Sequence, residues 1–297
     1  MIRINGRFLN STLFPNQELN VDTKNLVLTS GTATIEFSYR DNNDLLELYF
    51  ILAYINWLEK PIKTTLIMRY MPYSRMDRSQ NGSCFTLKHV IRLLYGALPR
   101  NSKVYVIEPH SNVTEREFEA LSVDVYPVYT SRELVSKVLS HLNSMGKSVE
   151  VVCYPDKGAC MRYNAILDLP EGMDVVHCNK LRDFDTGNII GLELSDKTIV
   201  NHKNALIVDD LCSAGGTFYH TAKVLKDHGV DEVYLCITHL ESNVLHGHLN
   251  SPDSPIAHIY ATDSMNTLKP SLLPNLPLTI YPLDDLELYK NILRGSN

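Results

Sequence analysis

Residues 205–217 read ALIVDDLCSAGGT, and the residues that follow them read FYHTAKVLKDHG. Residues 205–208 form a short apolar run that predicts a buried strand, and Asp209 and Asp210 come directly after it. A turn of small residues comes next, and it consists of Ser213, Ala214, Gly215, Gly216 and Thr217. Apolar residues at helical spacing beyond the turn predict a helix. The stretch therefore predicts a strand, an acidic pair, a glycine-containing turn and a helix, in that order.

This order of elements suits a phosphorylated sugar held at the carboxyl edge of a parallel sheet. The turn offers backbone N–H groups and a helix N-terminus to a phosphate. The two carboxylates can accept hydrogen bonds from ribose hydroxyls or help to hold Mg²⁺. Glycine-containing turns also occur for purely steric reasons. Two strand-end carboxylates are harder to explain as structure, because burying them unpaired is costly.

The length and composition favour α/β domains with ample apolar cores. The chain has 297 residues, of which 44% are hydrophobic, and this is enough for one large or two medium domains. The formal net charge of −6 argues against a nucleic-acid groove as the main feature. The six cysteines are scattered without a C-x-x-C pair, which predicts free thiols. No apolar run has the length of a membrane span or a signal core, so we expect a soluble cytoplasmic protein.

Two cycles of alternating strands and helices predict two α/β domains with mostly parallel sheets. We expect an N-terminal domain over residues 1–144 and a C-terminal domain over residues 145–297. Residues 43–58 predict a strongly apolar helix, with Asn43 and Asp44 as the cap candidates. Polar residues recur just past the predicted strand ends, which is where open parallel sheets place their ligands.

Several segments, taken in their order along the chain, resemble the ribose-phosphate diphosphokinases, or PRPP synthetases, which have the type I phosphoribosyltransferase fold. MPYSRMDR at 71–78 stands where that family has a Tyr-Ala-Arg-Gln-Asp type segment, and FPNQE at 14–18 resembles its Phe-Ser-Asn-Gln-Glu segment. IEPH at 107–110 stands where the family has Asp-Leu-His. YPDKGACMR at 154–162 is similar to its Ser-Pro-Asp-x-Gly-Gly-x-x-Arg, and NKLR at 179–182 to the Lys-x-Arg of its catalytic loop.

The resemblance implies Mg²⁺-dependent transfer of the β,γ-diphosphate of ATP to the anomeric 1-hydroxyl of ribose 5-phosphate, which gives PRPP and AMP. Such a transfer needs in-line positioning and compensation of charge on the transferred group. The implied catalytic residues are Lys180, Arg182 and His110. The implied ATP ligands, on the N-terminal domain, are Phe14, Asn16, Glu18, Arg75, Asp77 and His110. The implied metal ligands are Glu108, His110 and Asp156. The implied ribose-phosphate ligands, on the C-terminal domain, are Asp156, Asp209, Asp210, Ser213, Ala214, Gly215, Gly216 and Thr217.

Structural explanations of the same residues remain open at this stage. Lys180 and Arg182 stand at and just past the end of a strand predicted over residues 173–180, where solvated surface charges are common. A strand-end histidine such as His110 is often structural, and a core aromatic is an alternative interpretation of Phe14. In the PRPP synthetase family the adenine-binding segment reaches a neighbouring subunit's site, so the resemblance implies a homo-oligomer. It implies neither a nucleic-acid partner nor a membrane partner.

The phosphate turn departs from the family's usual Asp-Thr-Gly/Cys-Gly-Thr pattern, because Ser213 and Ala214 stand in its first two positions. The predicted 5-phosphate pocket therefore lacks an acidic group and a hydroxyl donor, and the loss of such a donor costs about 1.5–3 kcal/mol. This departure motivates a second hypothesis, in which the acceptor is a 5-substituted ribose such as ADP-ribose in a phage-type NAD⁺-rebuilding route. A non-catalytic regulatory subunit and a phosphoribosyltransferase that consumes PRPP are further alternatives.

Overall fold

The computed structural model describes residues 1–24, 26, 28, 31–58, 60–80, 82–182, 189–265, 267–268 and 276–296. The chain divides into two compact units. The first unit comprises Met1–Tyr129, Ser264–Asn266 and Glu287–Asn297, and the second comprises Thr130–Asp263 and Thr267–Leu286. In the described part of the chain, no helix is both long enough and apolar enough to cross a membrane.

The first unit is built on a six-stranded sheet and the helices that follow its strands. Its elements before residue 130 are β1 (Ile2–Ile4), β2 (Arg7–Phe8), β3 (Asn10–Leu13), β4 (Leu19–Asp22), β5 (Thr32–Phe37), α1 (Asn42–Trp57), β6 (Lys63–Met68), α2 (Thr86–Ala97), β7 (Lys103–Ile107), α3 (Val113–Glu119) and β8 (Asp124–Val128). The strand order is β2-β1-β5-β6-β7-β8, and β5 to β8 run parallel. β3 and β4 form a separate antiparallel hairpin.

Helix α1 shows how local sequence sets an element boundary in this unit. Asp41 precedes the helix in an extended conformation, and its side chain accepts hydrogen bonds from the backbone N–H groups of Asn43 and Asp44. The helix predicted over residues 43–58 is therefore confirmed to within one residue at each end. The cap is Asp41, however, and not Asn43 or Asp44, because Asp44 forms an ion pair with Arg40 instead.

The second unit is built on a seven-stranded sheet. Its elements are α4 (Ser131–Ser144), β9 (Val151–Tyr154), α5 (Lys157–Tyr163), β10 (Asp174–Arg182), β11 (Ile189–Leu194), β12 (Ala205–Cys212), α6 (Gly216–Asp227), β13 (Val233–Leu240), β14 (His258–Thr262) and β15 (Leu278–Tyr281). The strand order is β11-β10-β9-β12-β13-β14-β15, and among the described strands of this sheet only the β10–β11 pair is antiparallel. The predicted α/β class with mostly parallel sheets is confirmed in both units.

Helix α4 lies in the second unit, although the sequence places it before the expected boundary at residues 144/145. Its buried apolar residues, among them Leu134 and Val138, share a core with Val152 and Tyr154 of β9. The apolar stripe of the helix is thus covered by the second sheet, and the chain passes from one unit to the other between residues 129 and 130.

The last helix, α7 (Glu287–Ser296), returns to the first unit and was not expected there. The hydroxyl of the fully buried Tyr289 donates to Oε2 of Glu36, in β5, at 2.6 Å. Arg3 Nε donates to Oε1 of the same carboxylate at 2.7 Å. The guanidinium of Arg69 lies 5.6 Å from the centre of the Tyr289 ring, a cation–π distance. The buried Glu36 carboxylate therefore receives partners from both ends of the chain.

This arrangement predicts the effect of Tyr289→Phe on stability. The substitution keeps the ring and removes the hydroxyl that donates to a buried carboxylate, so the free energy of unfolding should fall by about 1.5–3 kcal/mol. Urea unfolding followed by circular dichroism and by the fluorescence of Trp57 in α1 measures the change. Tyr95→Phe is the control, because Tyr95 is 47% exposed. Equal effects of the two substitutions would show that the Glu36 contact adds nothing.

Candidate active site

Strand β12 carries the acidic pair inside the strand. Its parallel ladder with β13 continues past Asp209 as far as Cys212. The prediction of a strand that ends at Val208 is therefore wrong, because the apolar pattern stops before the hydrogen-bonded ladder does. The predicted order of strand, acidic pair, turn and helix is confirmed, with α6 beginning at Gly216.

The two carboxylates of β12 occupy different electrostatic environments. Nη1 of Arg162 donates to Oδ1 of Asp210 at 2.9 Å, and Asp210 is only 3% exposed. Asp209 is partly exposed, and its Oδ1 accepts from the backbone N–H of Asp210 at 2.9 Å. Burial and the neighbouring charge of Asp210 raise the pKa of Asp209 well above its ordinary value. The pair thus offers one ion-paired carboxylate and one carboxyl group that retains a proton more readily.

The turn after β12 has the backbone geometry of an anion site. Gly215 has φ +80°, and a Cβ at this position would lie 2.3 Å from Cγ of Leu249, so only glycine fits. The next residue begins α6, whose first N–H groups have no partner within the helix. Thr217 is exposed in this first helical turn. Ser213, by contrast, is engaged locally, because Nδ2 of Asn243 donates to its hydroxyl at 3.2 Å.

Two short 3₁₀ segments between residues 242 and 250 pack against this turn. The backbone N–H of His248 donates to the carbonyl oxygen of Ala214 at 3.0 Å. A Cβ on Gly247 would lie 2.0 Å from the same oxygen, so the close approach of the two backbones requires glycine. These contacts fix the path of the turn without covering Ala214, which is exposed.

Asp156 and Lys180 meet beside this end of the sheet. Asp156 caps α5, since its Oδ1 accepts from the N–H of Ala159 at 3.0 Å. Its other oxygen, Oδ2, lies 3.5 Å from Nζ of Lys180. The two side chains are 42% and 41% exposed, and solvent therefore weakens this ion pair. Lys180 is held near Asp156 without being buried, which leaves its ammonium accessible to a ligand.

Lys180 and Arg182 both lie within β10, and not past its end. Pairing with β11 extends the strand to Arg182, which is opposite Ile189. The prediction that the strand ends at residue 180 is therefore wrong, because an antiparallel partner continues the ladder. Only the backbone of Arg182 is described. The sequence predicts a loop or hairpin over residues 183–194, and residues 183–188 of it lie outside the described residues.

The first unit brings several predicted ATP ligands to the carboxyl edge of its parallel strands. The hydroxyl of Ser111 donates to Oδ2 of the buried Asp77 at 2.8 Å, and this bond joins the loop after β6 to the loop after β7. Glu108 and His110 precede Ser111 in the second of these loops. Arg75 is exposed in the first loop. The structure thus places Arg75, Asp77, Glu108 and His110 in two connected loops.

Glu108 has the left-handed backbone conformation that few residues other than glycine adopt, with φ +43°. It is 1% exposed, and its backbone N–H donates to the carbonyl of Val128 at 2.9 Å. In the described ranges, no group of three or more His, Cys, Asp or Glu side chains is arranged to hold a metal ion. Mg²⁺ bound with a nucleotide needs only one or two protein ligands, because water and phosphate oxygens supply the rest.

Phe14, Asn16 and Glu18 occupy the turn of the β3–β4 hairpin, and all are exposed. Phe14 is 52% exposed, so its interpretation as a core residue is wrong for this chain. Its backbone N–H donates to the carbonyl of Glu18 at 2.9 Å, and Oδ1 of Asn16 accepts from the N–H of Glu18 at 3.2 Å. The turn therefore presents an aromatic ring, an amide and a carboxylate to solvent.

Arg162 and Ser111 are two residues of these sites for which the sequence patterns predict no role. The signal for Arg162 was present, because it is the arginine that ends the YPDKGACMR segment. Its partner Asp210 is 48 positions away, so the ion pair itself was not visible. Ser111 gave no signal, because its contact depends on two loops meeting at a sheet edge.

The architecture consists of two α/β units whose sheets are mostly parallel. It matches the crystal structure of phosphoribosylpyrophosphate synthetase from Mycobacterium smegmatis with a TM-score of 0.74. The match covers 97% of this chain and 91% of that chain, at 17% sequence identity. At this identity the likeness shows the fold.

In sequence, the chain is similar to ribose-phosphate pyrophosphokinases of several organisms. The chain is 31% identical over 179 residues to a ribose-phosphate pyrophosphokinase of Thermococcus kodakarensis and 28% identical over 181 residues to that of Pyrococcus abyssi. Each alignment covers 60% of this chain, but only 58% and 57% of the respective relative. A Sulfolobus acidocaldarius ribose-phosphate pyrophosphokinase is 26% identical over 231 residues, which cover 76% of this chain and 74% of that protein. No protein-family model matches the chain. The chain is thus similar in sequence to ribose-phosphate pyrophosphokinases and in fold to a phosphoribosylpyrophosphate synthetase, and the predicted resemblance is confirmed.

Proposed function

We propose that the protein transfers the β,γ-diphosphate of MgATP to the 1-hydroxyl of ribose 5-phosphate and releases PRPP and AMP. The observation that carries this proposal is the position of Asp209 and Asp210 near the end of β12, two residues short of the glycine turn that leads into α6. This places acceptors for sugar hydroxyls next to donors for a phosphate. The kinship with ribose-phosphate pyrophosphokinases supports the same reaction.

In this proposal the second unit binds the acceptor. Asp209 and Asp210 accept hydrogen bonds from the ribose hydroxyls. Arg162 holds the carboxylate of Asp210 in place and balances its negative charge. Backbone N–H groups from Ser213 to Thr217 bind the 5-phosphate. A ribose held in this way has its anomeric carbon fixed, and this positioning supplies much of the rate enhancement in phosphoryl-type transfer.

Lys180 and Arg182 compensate the charge that develops on the transferred diphosphate. An ammonium near Asp156 is free to leave that weak, solvent-exposed pair and bind phosphate oxygens instead. Arginine adds a planar, permanently charged group that matches phosphate geometry. Asp156 then remains beside the acceptor, where it orients a ribose hydroxyl.

The ATP side of the proposal rests on the first unit. Arg75 and His110 contact the phosphates of ATP, and Asp77 holds the two loops together through Ser111. The carboxylate of Glu108 is of the type that Mg²⁺ prefers, and His110 is the other metal ligand proposed for this unit. Asp156 is the metal ligand proposed for the second unit. The metal ion supplies charge neutralisation of the transferred group when bound.

The exposed hairpin turn supports a homo-oligomer in which adenine binds across subunits. Phe14, Asn16 and Glu18 offer a ring for stacking and polar groups for the edge of a base, and all three are exposed in the single chain. We propose that a second copy of the chain completes this adenine site. Cross-subunit binding of this kind would make ATP affinity depend on protein concentration.

The altered phosphate turn favours a second candidate acceptor, a 5-substituted ribose such as ADP-ribose in NAD⁺ metabolism. Ala214 brings no hydroxyl to the turn, and the hydroxyl oxygen of Ser213 accepts from Nδ2 of Asn243. The turn therefore has no side-chain donor at position 214 for a phosphate monoester. A diester in the same place has fewer charged oxygens and needs fewer donors.

The test of the proposed function is AMP formation from MgATP with ribose 5-phosphate or ADP-ribose supplied separately. The mass of each product is measured. A PRPP mass supports the first acceptor, and a diphosphorylated ADP-ribose supports the second. AMP from neither acceptor would contradict both and would favour a non-catalytic regulatory subunit. AMP formation without any nucleobase also separates a diphosphokinase from a phosphoribosyltransferase that consumes PRPP.

A further inference from the structure

A cluster of three rings lies at the open side of the phosphate turn. His248 follows the backbone contact to Ala214, and its Nε2 lies 3.6 Å from the position that a Cβ on Gly216 would take. The ring centre of His220, in the second turn of α6, is 6.1 Å from that of His248. Tyr219 packs against both imidazoles, with centre distances of 5.5 Å to His220 and 5.6 Å to His248. The tyrosine thus supports the two imidazoles beside the start of the helix.

The two imidazoles are available for binding. His220 and His248 are both exposed. Over the described ranges, no hydrogen bond or ion pair engages a ring nitrogen of either residue, whereas Nδ1 of His228 in the same helix lies 2.8 Å from the carbonyl oxygen of Val224. Each imidazole has at least one N–H donor in every protonation state. The two imidazoles therefore offer N–H donors beside a turn that has no side-chain donor at Ala214.

We propose that His220 and His248 form a phosphate-binding pair next to the turn and act as specificity-determining residues for the acceptor. Their ring centres are 6.1 Å apart, so a phosphate between them can accept from both. The pair replaces the hydroxyl donor that Ala214 lacks. This inference rests on the proposed function, because it assumes that the acceptor's phosphate binds at the turn.

The phosphate that reaches the pair has two possible sources. It is either the 5-phosphate in the turn or a second phosphate esterified to it. Because the His248 ring is close to Gly216, it lies beside the place where the 5-phosphate binds in the turn. His220 lies four residues further along α6, which corresponds to an axial rise of about 6 Å. A diphosphate can therefore extend from the turn to His220.

Calorimetric titration with inorganic phosphate and with inorganic diphosphate tests the proposal. His220→Phe and His248→Phe keep a ring against Tyr219 and remove the donor, and each should weaken diphosphate binding about 10-fold, as expected for a charged hydrogen bond. His248→Gln restores a donor and should recover most of the affinity. His246→Phe is the matched control, because His246 is exposed in the same segment.

The two probes distinguish the two sources of phosphate. Equal weakening of phosphate and diphosphate places the pair at the 5-phosphate, and weakening of diphosphate alone places it at a second phosphate. The proposal is overturned if the double Phe variant binds both anions as the wild type does, or if His246→Phe weakens them equally. Neither titration contains ATP, so the anion affinities are measured independently of the reaction. If the protein forms no AMP, the proposed function fails, but the titrations still test the histidine pair.

Discussion

Lys180→Ala should lower kcat for AMP formation by about 10²–10³-fold while the KM for ATP changes little. The reason is that a cation aimed at developing charge acts mainly in the transition state, where the transferred group is most in need of compensation. Lys180 is suited to this role because it is 41% exposed and is held only by a weak pair with Asp156. Steady-state kinetics at saturating acceptor measure kcat and KM separately.

The matched control for this prediction is Lys197→Ala. Lys197 is 47% exposed and pairs with a carboxylate, Glu193, at 2.6 Å, so it resembles Lys180 in exposure and in partner. We expect no change in kcat from this control. Losses in kcat and in ATP affinity of the same size for Lys180→Ala would instead indicate a role in binding the ground state.

Arg162→Met should lower the free energy of unfolding by about 3–5 kcal/mol, the range for removing one partner of a buried ion pair. The substitution preserves apolar packing and leaves the carboxylate of Asp210, which is 3% exposed, without its guanidinium. Asp209 is next to Asp210, so the variant would have two neighbouring carboxyl groups in a poorly solvated environment without the guanidinium. Chemical denaturation of the purified variant measures the loss.

Two further variants make this prediction specific. Arg132→Met removes an arginine from a surface pair with Asp168, whose side chains are 57% and 72% exposed, and should cost less than about 1 kcal/mol. Adding Asp210→Asn to Arg162→Met removes the uncompensated charge and should recover most of the stability, but not ribose-dependent activity. If Arg162→Met is no worse than Arg132→Met, the buried pair does not stabilise the fold.

Much of the fold was predictable because its signals are local. The apolar run of residues 205–208, the acidic pair and the glycine turn are adjacent in the sequence, and each constrains the backbone by itself. Strand ends were less predictable. β12 and β10 both extend beyond their apolar runs because partner strands continue the ladder, and pairing of this kind depends on distant residues.

Site residues that belong to a sequence motif were predictable. Site residues that meet only through tertiary contacts were not. The pattern at 154–162 pointed to Asp156, but the bond from Arg162 to Asp210 spans 48 positions. His220 and His248 looked like ordinary surface residues, since nothing near them in the sequence indicates that they meet. Their proximity follows from the glycine at position 247, which allows the second backbone to approach the turn.

The return of α7 to the first unit has a consequence for the order in which the protein is made. Glu36 and Tyr289 are 253 positions apart, so a ribosome that adds about 5–20 residues per second needs about 13–50 s between them. Throughout that interval the nascent N-terminal sheet lacks the tyrosine that contacts its buried carboxylate. The sheet that contains Glu36 is thus completed only after Tyr289 has been added, and a chaperone has access to it during the whole interval.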